Sequence, residues 1–188
     1  MAAILPIVKL PAKILREKTR EVSSSVITSP SLKRLIADMK ETLKHTPDGV
    51  GLAAPQVGES LRLFIVSDEA EEIDKTELKR WHKSDGEWKR EEKKPYETRE
   101  WTYYVFINPV VKKTARKKLD AMEGCLSVPE KFGLVARTER ITIEAYDENG
   151  KKFTRGTSRF VARVIQHELD HLEGKLFIDK VSKSSQTT

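Results

Sequence analysis

The segment from Ser158 to Glu173 constrains the fold most strongly, because it predicts a helix that is apolar over most of its surface. Gly174 follows it directly and is a typical helix end. Such a helix is stable only when other elements cover it. We therefore expect a largely buried helix at the centre of the fold, near the end of the chain. Its apolar side chains are Phe160, Val161, Val164, Ile165, Leu169 and Leu172.

The rest of the chain predicts strands and one further helix. Ser29 can cap a helix that begins at Pro30 and ends near His45, since its apolar residues fall on one face. Alternating patterns predict strands at 61–66, 103–111, 140–146 and 151–155, a turn at 147–150 and a short strand after Gly174. The fold class is α+β, with mostly antiparallel strands packed around a central C-terminal helix and one N-terminal helix.

Residues 68–100 form a charged insertion between two of the predicted strands. They contain 12 acidic and 9 basic residues and few aliphatic ones. Because such a segment cannot hold a hydrophobic core, we expect a solvated loop. The chain as a whole has a net charge of +6, so its remaining part is strongly basic. We expect one domain over residues 1–188, with this insertion at about 68–100.

Composition excludes several classes of protein. The single cysteine cannot form an internal disulfide, so we expect a reducing compartment. No apolar run approaches the roughly 20 residues that a membrane-spanning helix needs. Residues Met1 to Leu10 lack the pattern of a signal peptide. The expected location is the cytoplasm of a bacterial-type cell, or an organelle only if a transit peptide has been removed.

The predicted C-terminal helix carries a pattern that is typical of metal sites. His167 and His171 are four residues apart, so both imidazoles lie on one helical face and can bind one ion. Glu168 lies beside them as a general base for water. The alternative is a helix with two surface histidines, but two of only four histidines in the chain occupy these positions. A catalytic site normally has three protein ligands, so a third must come from elsewhere.

The third ligand is less obvious from the sequence. Downstream, Glu173 points elsewhere on the helix and Asp179 lies in the expected terminal strand. Upstream, Cys125 lies in a glycine-containing segment between strands, and a thiolate is a strong ligand for Zn(II) or Fe(II). A lone cysteine is more often a small buried hydrophobic residue. The two-histidine helix lacks a ligand, however, and this favours Cys125 as the third.

Three segments stand out together: Gly-Val-Gly-Leu-Ala-Ala-Pro-Gln at 49–56, Glu-Gly-Cys-Leu-Ser at 123–127 and Gln-His-Glu-Leu-Asp-His-Leu-Glu-Gly at 166–174. In this order they resemble the peptide deformylase family, and the resemblance extends over nearly the whole chain apart from the insertion. It implies removal of the formyl group from the N-terminal formyl-methionine of new polypeptides. It also implies one divalent metal ion held by Cys125, His167 and His171. Fe(II) is the expected metal, and Ni(II), Co(II) or Zn(II) can replace it in purified protein.

The resemblance also suggests which residues carry the reaction. Glu168 would accept a proton from water and later pass it to the leaving amine. The side-chain N–H of Gln56 and the backbone N–H of Leu126 would stabilise the oxyanion. The alternative for Gln56, which the residues favour less, is a loop amide that only ties its own turn together. Arg163, one turn before His167, could line the methionine pocket or pair with a surface acid, and the sequence does not decide between them.

Further residues are expected to bind substrate or support the ligands. The main chain of the substrate would pair as an added strand with Val50, Gly51 and Gly124. Turn geometry alone could also explain these glycines. Arg137 and Asp170 are candidates for a pair that holds the ligand helix against a strand.

Two other functions remain open at this point. A zinc peptidase that cuts internal peptide bonds would need a third His or Glu ligand, where this chain offers Cys125. A non-catalytic basic module on ribosomal RNA would use the metal structurally, and Glu168 would then be dispensable. The expected partners are N-formylmethionyl nascent peptides, with ribosome binding through a basic surface as a hypothesis. Neither a membrane nor a specific DNA sequence is an expected partner.

Overall fold

A computed structural model of the protein describes residues 2–46, 49–77, 81–84, 87–90 and 102–181. In chain order the helices are α1 (Pro30–Lys44), α2 (Glu69–Glu77) and α3 (Arg159–Leu172). The strands are β1 (Gly51–Ala53), β2 (Leu63–Ser67), β3 (Trp81–Ser84), β4 (Glu87–Arg90), β5 (Tyr103–Thr114), β6 (Lys118–Cys125), β7 (Val128–Thr138), β8 (Arg140–Tyr146) and β9 (Lys152–Ser158). Within these ranges no helix has both the length and the apolar character needed to cross a membrane.

The main sheet has five antiparallel strands in the order β1-β2-β5-β8-β9. The predicted turn between β8 and β9 forms, because the Asp147 carboxylate accepts hydrogen bonds from the backbone N–H groups of Asn149 and Lys151. Gly150 closes it with φ of 77°, a conformation that favours glycine. Short β1 lies at one edge of the sheet, where it is available to a further strand.

Each face of the sheet is covered by a helix. Ser29 caps α1 by accepting a hydrogen bond from the Leu32 N–H at 3.3 Å, as the sequence predicts. The apolar face of α1 packs on the side chains of one sheet face, and α3 packs on the other, because successive strand residues point to opposite faces. Residues on the α1 side include Leu63, Ile65, Val105 and Ile107; those on the α3 side include Phe64, Val66, Phe106 and Ile143. The α+β class with a central C-terminal helix is therefore confirmed.

A separate hairpin, β6–β7, lies beside α3 and forms its own two-stranded sheet. Its register shifts between Gly124 and Cys125, at the end of β6. The hairpin packs on the apolar residues that follow α3, including the fully buried Leu176 and Phe177. It therefore brings Cys125 from a distant part of the chain to the surface of α3.

The expectation that the insertion is a solvated loop is wrong for two parts of it. Strands β3 and β4 pair as an antiparallel hairpin. Residues 69–77 form α2, and Ala70 is fully buried in the core that contains α3. Glu71 pairs with Arg155, whose guanidinium lies 3.6 Å from the centre of the Tyr104 ring. A small buried apolar residue and an ion pair thus help to dock a highly charged helix. Residues 78–80, 85–86 and 91–101 of the insertion lie outside the described residues.

The expected strand after Gly174 is also wrong. Residues Phe177–Asp179 form a short 3-10 helix, which Asp179 caps by accepting a hydrogen bond from the Leu176 N–H at 2.9 Å. From Gly174 to Val181, the part of this segment that the structure describes, strand character is limited to an isolated bridge between Val181 and Val135. A carboxylate that satisfies a nearby backbone N–H competes with strand pairing. The polar tail at 182–188 lies outside the described residues.

Candidate metal centre

The structure brings Cys125, His167 and His171 together. The Cys125 Sγ lies 3.2 Å from the His171 Nε2, and one ligand atom from each of the three residues lies within 4.8 Å of the others. The two imidazole centres are 5.0 Å apart, as the four-residue helical spacing predicts. Their rings are inclined by 72°, so both edges can face one point beside Cys125.

Glu123 orients the first histidine. Its Oε2 lies 3.1 Å from the His167 Nδ1, which leaves Nε2 as the ligand atom. Burial favours the neutral form of Glu123, but hydrogen bonds from Arg137 and His167 outweigh it and hold the pKa of Glu123 well below its usual range. The Arg137 bonds are bidentate, at 2.8 and 2.7 Å. Glu123 is therefore a fixed anion behind the ligand.

The predicted Arg137 and Asp170 pair lies in contact. The Arg137 Nη1 donates to the Asp170 Oδ2 at 2.6 Å, and the Lys180 Nζ donates to the other oxygen at 2.6 Å. Arg137 is only 3% exposed. Because Arg137 belongs to β7 and Asp170 to α3, this pair connects the hairpin to the ligand helix.

Glu168 is buried between α3 and β1. Its side chain is 3% exposed, and its Oε2 has no hydrogen-bond partner among the described residues. Burial raises the pKa of Glu168 to about 7, although the charge of His167 opposes this. A carboxyl group with this pKa can accept and release a proton near neutral pH.

The donor set fits a divalent cation. Burial opposes the charged form of His167, but hydrogen bonds with Cys125 and Glu123 raise the pKa of His167 to about 10. The groups around His167 therefore stabilise positive charge beside the Cys125 thiol, as a cation site requires. Burial has the opposite result for His171, whose pKa lies well below its usual range, so this imidazole is neutral and available as a ligand. One thiolate and two imidazoles suit Zn(II), Fe(II) and similar ions.

Gln56 and Leu126 lie beside the three ligands. The Gln56 Oε1 accepts a hydrogen bond from the Ala53 N–H at 2.8 Å, so this amide does tie its own turn together. The same bond turns Nε2 toward the site, 3.7 Å from the Cys125 Sγ and 3.3 Å from the Ser127 Oγ. Leu126 directly follows Cys125 in the turn of the hairpin.

A cleft of about 590 Å³ opens over this cluster. Eight of the predicted site residues line it: Val50, Gly51, Gln56, Gly124, Cys125, Leu126, His167 and Glu168. The other three are absent from its wall: His171 is itself one of the three clustered residues, and Arg137 and Asp170 form the pair behind them. Met122 and Phe132 form an exposed apolar rim at 59% and 68% exposure. The cleft is large enough for several residues of an extended peptide.

Sequence reasoning did not assign roles to three residues that support the site. Glu123 is two residues before Cys125 in a strand, a spacing that places both side chains on one face and could have indicated its role. Arg163 lines the cleft, but the acid with which it pairs, at 2.6 Å, is the buried Glu123 and not a surface residue. The Phe177 ring stacks on His167 at 6.3 Å, and no sequence pattern pointed to this contact.

Comparison with known proteins gives a consistent result. The sequence model described as polypeptide deformylase matches residues 4–187. The chain is 40% identical over 179 residues to a peptide deformylase of Christiangramia forsetii, covering 95% of this chain and 82% of that protein. It is 37% identical over 168 residues to peptide deformylase 1A, chloroplastic/mitochondrial, of Arabidopsis thaliana, covering 89% of this chain but 58% of the relative. The chain thus spans little more than half of that plant protein.

Solved structures agree with the sequence relatives. Peptide deformylase from Thermotoga maritima superposes with a TM-score of 0.74 at 31% identity, covering 95% of this chain and 98% of the other. The Met-Ala-Ser-bound class I type b peptide deformylase of Acinetobacter baumannii gives 0.75 at 28% identity, covering 96% and 100%. The family model, the relatives and the fold all lead to one assignment, and the chain belongs to the polypeptide deformylase family.

Proposed function

We propose that this protein hydrolyses the formyl group from the N-terminal formyl-methionine of new polypeptides and releases formate. The observation that carries the proposal is the position of the buried Glu168 carboxyl, which lines the cleft beside the Cys125, His167 and His171 cluster. Hydrolysis of an amide needs a nucleophilic water, an acid–base group and a bound peptide at one point, and this cleft has residues suited to each of the three. The A. baumannii relative has Met-Ala-Ser bound, the sequence of a deformylated product.

One divalent ion, held by Cys125, His167 and His171, completes the site. Such an ion supplies Lewis acidity, which lowers the pKa of water and polarises a carbonyl. We expect Fe(II) in the cell, with Ni(II), Co(II) or Zn(II) as replacements in purified protein. The soft thiolate and the two imidazoles are compatible with each of these ions.

Glu168 transfers the proton. Its carboxylate accepts a proton from water as the water oxygen bonds to the formyl carbon. The carbon–nitrogen bond then breaks, and Glu168 delivers the proton to the leaving amine of methionine. Burial and the neighbouring charges suit this exchange, because they bring the pKa of Glu168 to about 7.

Two donors stabilise the oxyanion that forms at the formyl oxygen. The Gln56 amide is held by Ala53 at 2.8 Å and is 2% exposed, so its N–H group is pre-oriented. The backbone N–H of Leu126 provides the second donor next to a ligand. Donors fixed before the reaction stabilise developing charge without a cost of reorganisation.

The substrate main chain lies along the cleft as an added strand. Gly51 begins β1, an edge strand of the main sheet, and Val50 directly precedes it. Gly124 also lines the cleft. Pairing at a sheet edge recognises the backbone of a peptide without regard to its sequence. This suits an enzyme that acts on many different nascent chains.

Formate release from a blocked and an unblocked peptide tests the function. Anaerobically purified protein should release formate from formyl-Met-Ala-Ser and leave an unblocked peptide intact. Cleavage of the unblocked peptide alone would instead indicate an internal peptidase. Cys125→Ser should lose both bound metal and activity, since the hydroxyl is a much weaker ligand than a thiolate. Full activity in this variant would exclude the proposed ligand set.

Ribosome binding and location belong to the same proposal. Exposed Lys113, Arg116 and Lys118 surround the turn between β5 and β6, which supports sequence-independent attraction to RNA. Co-sedimentation with ribosomes should weaken as salt rises to physiological levels, and salt-independent or absent binding would contradict it. A reducing cytoplasm suits the free Cys125 thiol.

A further inference from the structure

The metal ligands come from two parts of the fold that are joined mainly by side chains. His167 and His171 belong to α3, whereas Cys125 ends β6 in the separate two-stranded sheet. In the described part of the chain, no backbone ladder joins β6–β7 to the five-stranded sheet. The position of the thiol relative to the imidazoles therefore depends on how the hairpin docks on α3.

A polar stripe on α3 makes this docking contact. Its residues lie at helical spacing and face the hairpin: Arg163, Gln166, His167 and Asp170. Gln166 accepts hydrogen bonds from the Thr138 N–H and hydroxyl at 3.1 Å each and donates to the Thr138 carbonyl at 2.9 Å. The other side of α3 is apolar and packs on the main sheet.

Arg163 contacts more of the hairpin than any other residue of this stripe. Its Nη1 donates to the Glu123 Oε1 at 2.6 Å and to the Val135 carbonyl at 2.8 Å. Its Nη2 donates to the Leu119 carbonyl at 2.5 Å. One guanidinium therefore joins both strands of the hairpin to α3, while the side chain is only 8% exposed.

Arg163 belongs to a network of buried charges. Glu123 lies between Arg163 and Arg137, and Arg137 in turn pairs with Asp170. Removing Arg163 would leave Glu123 with one guanidinium in place of two, and two backbone carbonyls without this donor. A lysine could restore the charge but not the planar fork that reaches both strands.

We infer that Arg163 is a positioning residue, which holds the β6–β7 hairpin and its Cys125 thiol in register with His167 and His171. It thereby sets the affinity and geometry of the metal site. This rests on the ligand set in the proposed function, but not on the deformylation reaction. Residues that support metal ligands through hydrogen bonds typically change affinity by about 10- to 100-fold when removed.

Cobalt binding to the purified chain tests the inference. Arg163→Met keeps the length of the side chain but removes every donor, and Arg163→Lys keeps the charge alone. Arg159→Met is the matched control, because Arg159 is an exposed arginine on the same helix. The chelator-treated proteins are titrated with Co(II), and both the dissociation constant and the thiolate-to-cobalt absorption band are recorded.

We expect Arg163→Met to weaken Co(II) binding by about 10-fold or more and to alter the thiolate band. The Co(II) affinity of Arg163→Lys should lie between those of Arg163→Met and the wild type. Arg159→Met should have the Co(II) affinity and the absorption band of the wild type. If Arg163→Met does not fold, Arg163→Lys decides by the same two readouts. Wild-type affinity and an unchanged band in the folded Arg163 variants would overturn the inference. Failure of formate release with normal cobalt binding would instead count against the proposed function alone.

Discussion

Gly51 and Glu168 are so close that residue 51 cannot carry a side chain without moving the carboxyl group. A Cβ on Gly51 would lie 2.4 Å from the Glu168 Oε1 and 2.9 Å from its Cδ. Contacts under 3.0 Å are essentially never seen for a real Cβ. The glycine is therefore explained by this close approach, and β1 forms the wall that positions Glu168.

The first prediction concerns this contact. Gly51→Ala should lower kcat by about 100-fold, because a displacement of about 1 Å in a catalytic group has that order of effect. The bound metal should stay, since residue 51 contacts none of the three ligands. Formate-release kinetics and metal content measure the two effects separately.

Gly156→Ala is the matched control for that substitution. A Cβ there meets only the Thr142 Oγ1, at 3.9 Å, an ordinary van der Waals distance. Its kcat should stay within about twofold of the wild type, since Gly156 lies in β9 away from the cleft. Equal losses in the two alanine variants would mean that the effect comes from the general cost of replacing glycine.

The second prediction concerns the proton transfer itself. Glu168→Gln keeps the shape of the side chain but cannot take up a proton. We expect kcat to fall by about 100- to 10,000-fold, the usual contribution of a general acid–base group. Metal content should be unchanged, and single-turnover formate release measures the loss. Formate release close to that of the wild type would show that Glu168 does not transfer the proton.

The third prediction concerns the segment after α3. A Cβ on Gly133 would lie 2.3 Å from Cγ2 and 2.8 Å from Cγ1 of Val181. Gly133→Ala should therefore reduce the free energy of unfolding by about 1–3 kcal/mol, the usual cost of overpacking. Urea unfolding of the wild type, Gly133→Ala, Val181→Ala and the double variant gives a double-mutant cycle for this contact.

The double variant should recover most of the stability lost in Gly133→Ala. Replacing Val181 removes both methyl groups that the new Cβ would meet. If the two substitutions are simply additive, the close approach of Gly133 and Val181 does not determine the docking of this segment.

The fourth prediction is a pH dependence of stability at Asp179. Burial acts to raise its pKa, but hydrogen bonds from Arg16, at 2.5 Å, and from the Leu176 N–H lower it overall. A lowered folded-state pKa means that the stabilisation is present above the unfolded value, near 3.8, and is lost as pH falls through the folded value.

Asp179→Asn should therefore cost up to about 1 kcal/mol at pH 7, a modest value because the ion pair is partly exposed. The cost should shrink as pH falls below about 4, because the carboxylate of the unfolded chain takes up a proton there before the folded one does. Urea unfolding at pH 7 and at acid pH measures this difference. A cost that stays constant with pH would show that the charge of Asp179 does not stabilise the segment.

Local sequence patterns gave correct predictions for features that lie within a single helix. Ser29 and Pro30 define the start of α1, and the spacing of His167 and His171 places both imidazoles on one face of α3. These features depend on residues within one or two helical turns, so the local sequence is sufficient to predict them. Cys125 is different, because it lies 46 residues before His171. It became a candidate only because the two-histidine helix lacks a third ligand, and the three-segment resemblance then supported it.

Long-range contacts explain where sequence reasoning failed. The charge of residues 69–77 indicated a solvated loop, but burial of Ala70 against the core and pairing of Glu71 with Arg155 stabilise a helix. The last segment was expected to be a strand, but Asp179 caps a 3-10 helix there. The partners of residues 69–77 lie on distant elements. For the last segment, the choice between a strand and a 3-10 helix depends on how the segment docks on the fold.

Three segments that are recognisable without a structure supply the groups of the candidate site: one thiol, two imidazoles and one carboxyl group. Their relative positions come from contacts between distant elements. Gly51 fixes the position of Glu168, Glu123 orients His167, and Arg163 with Arg137 joins the hairpin to α3. The type of each ligand is a property of one residue, whereas the geometry of the ligands depends on packing between a hairpin and a helix that are far apart in the chain.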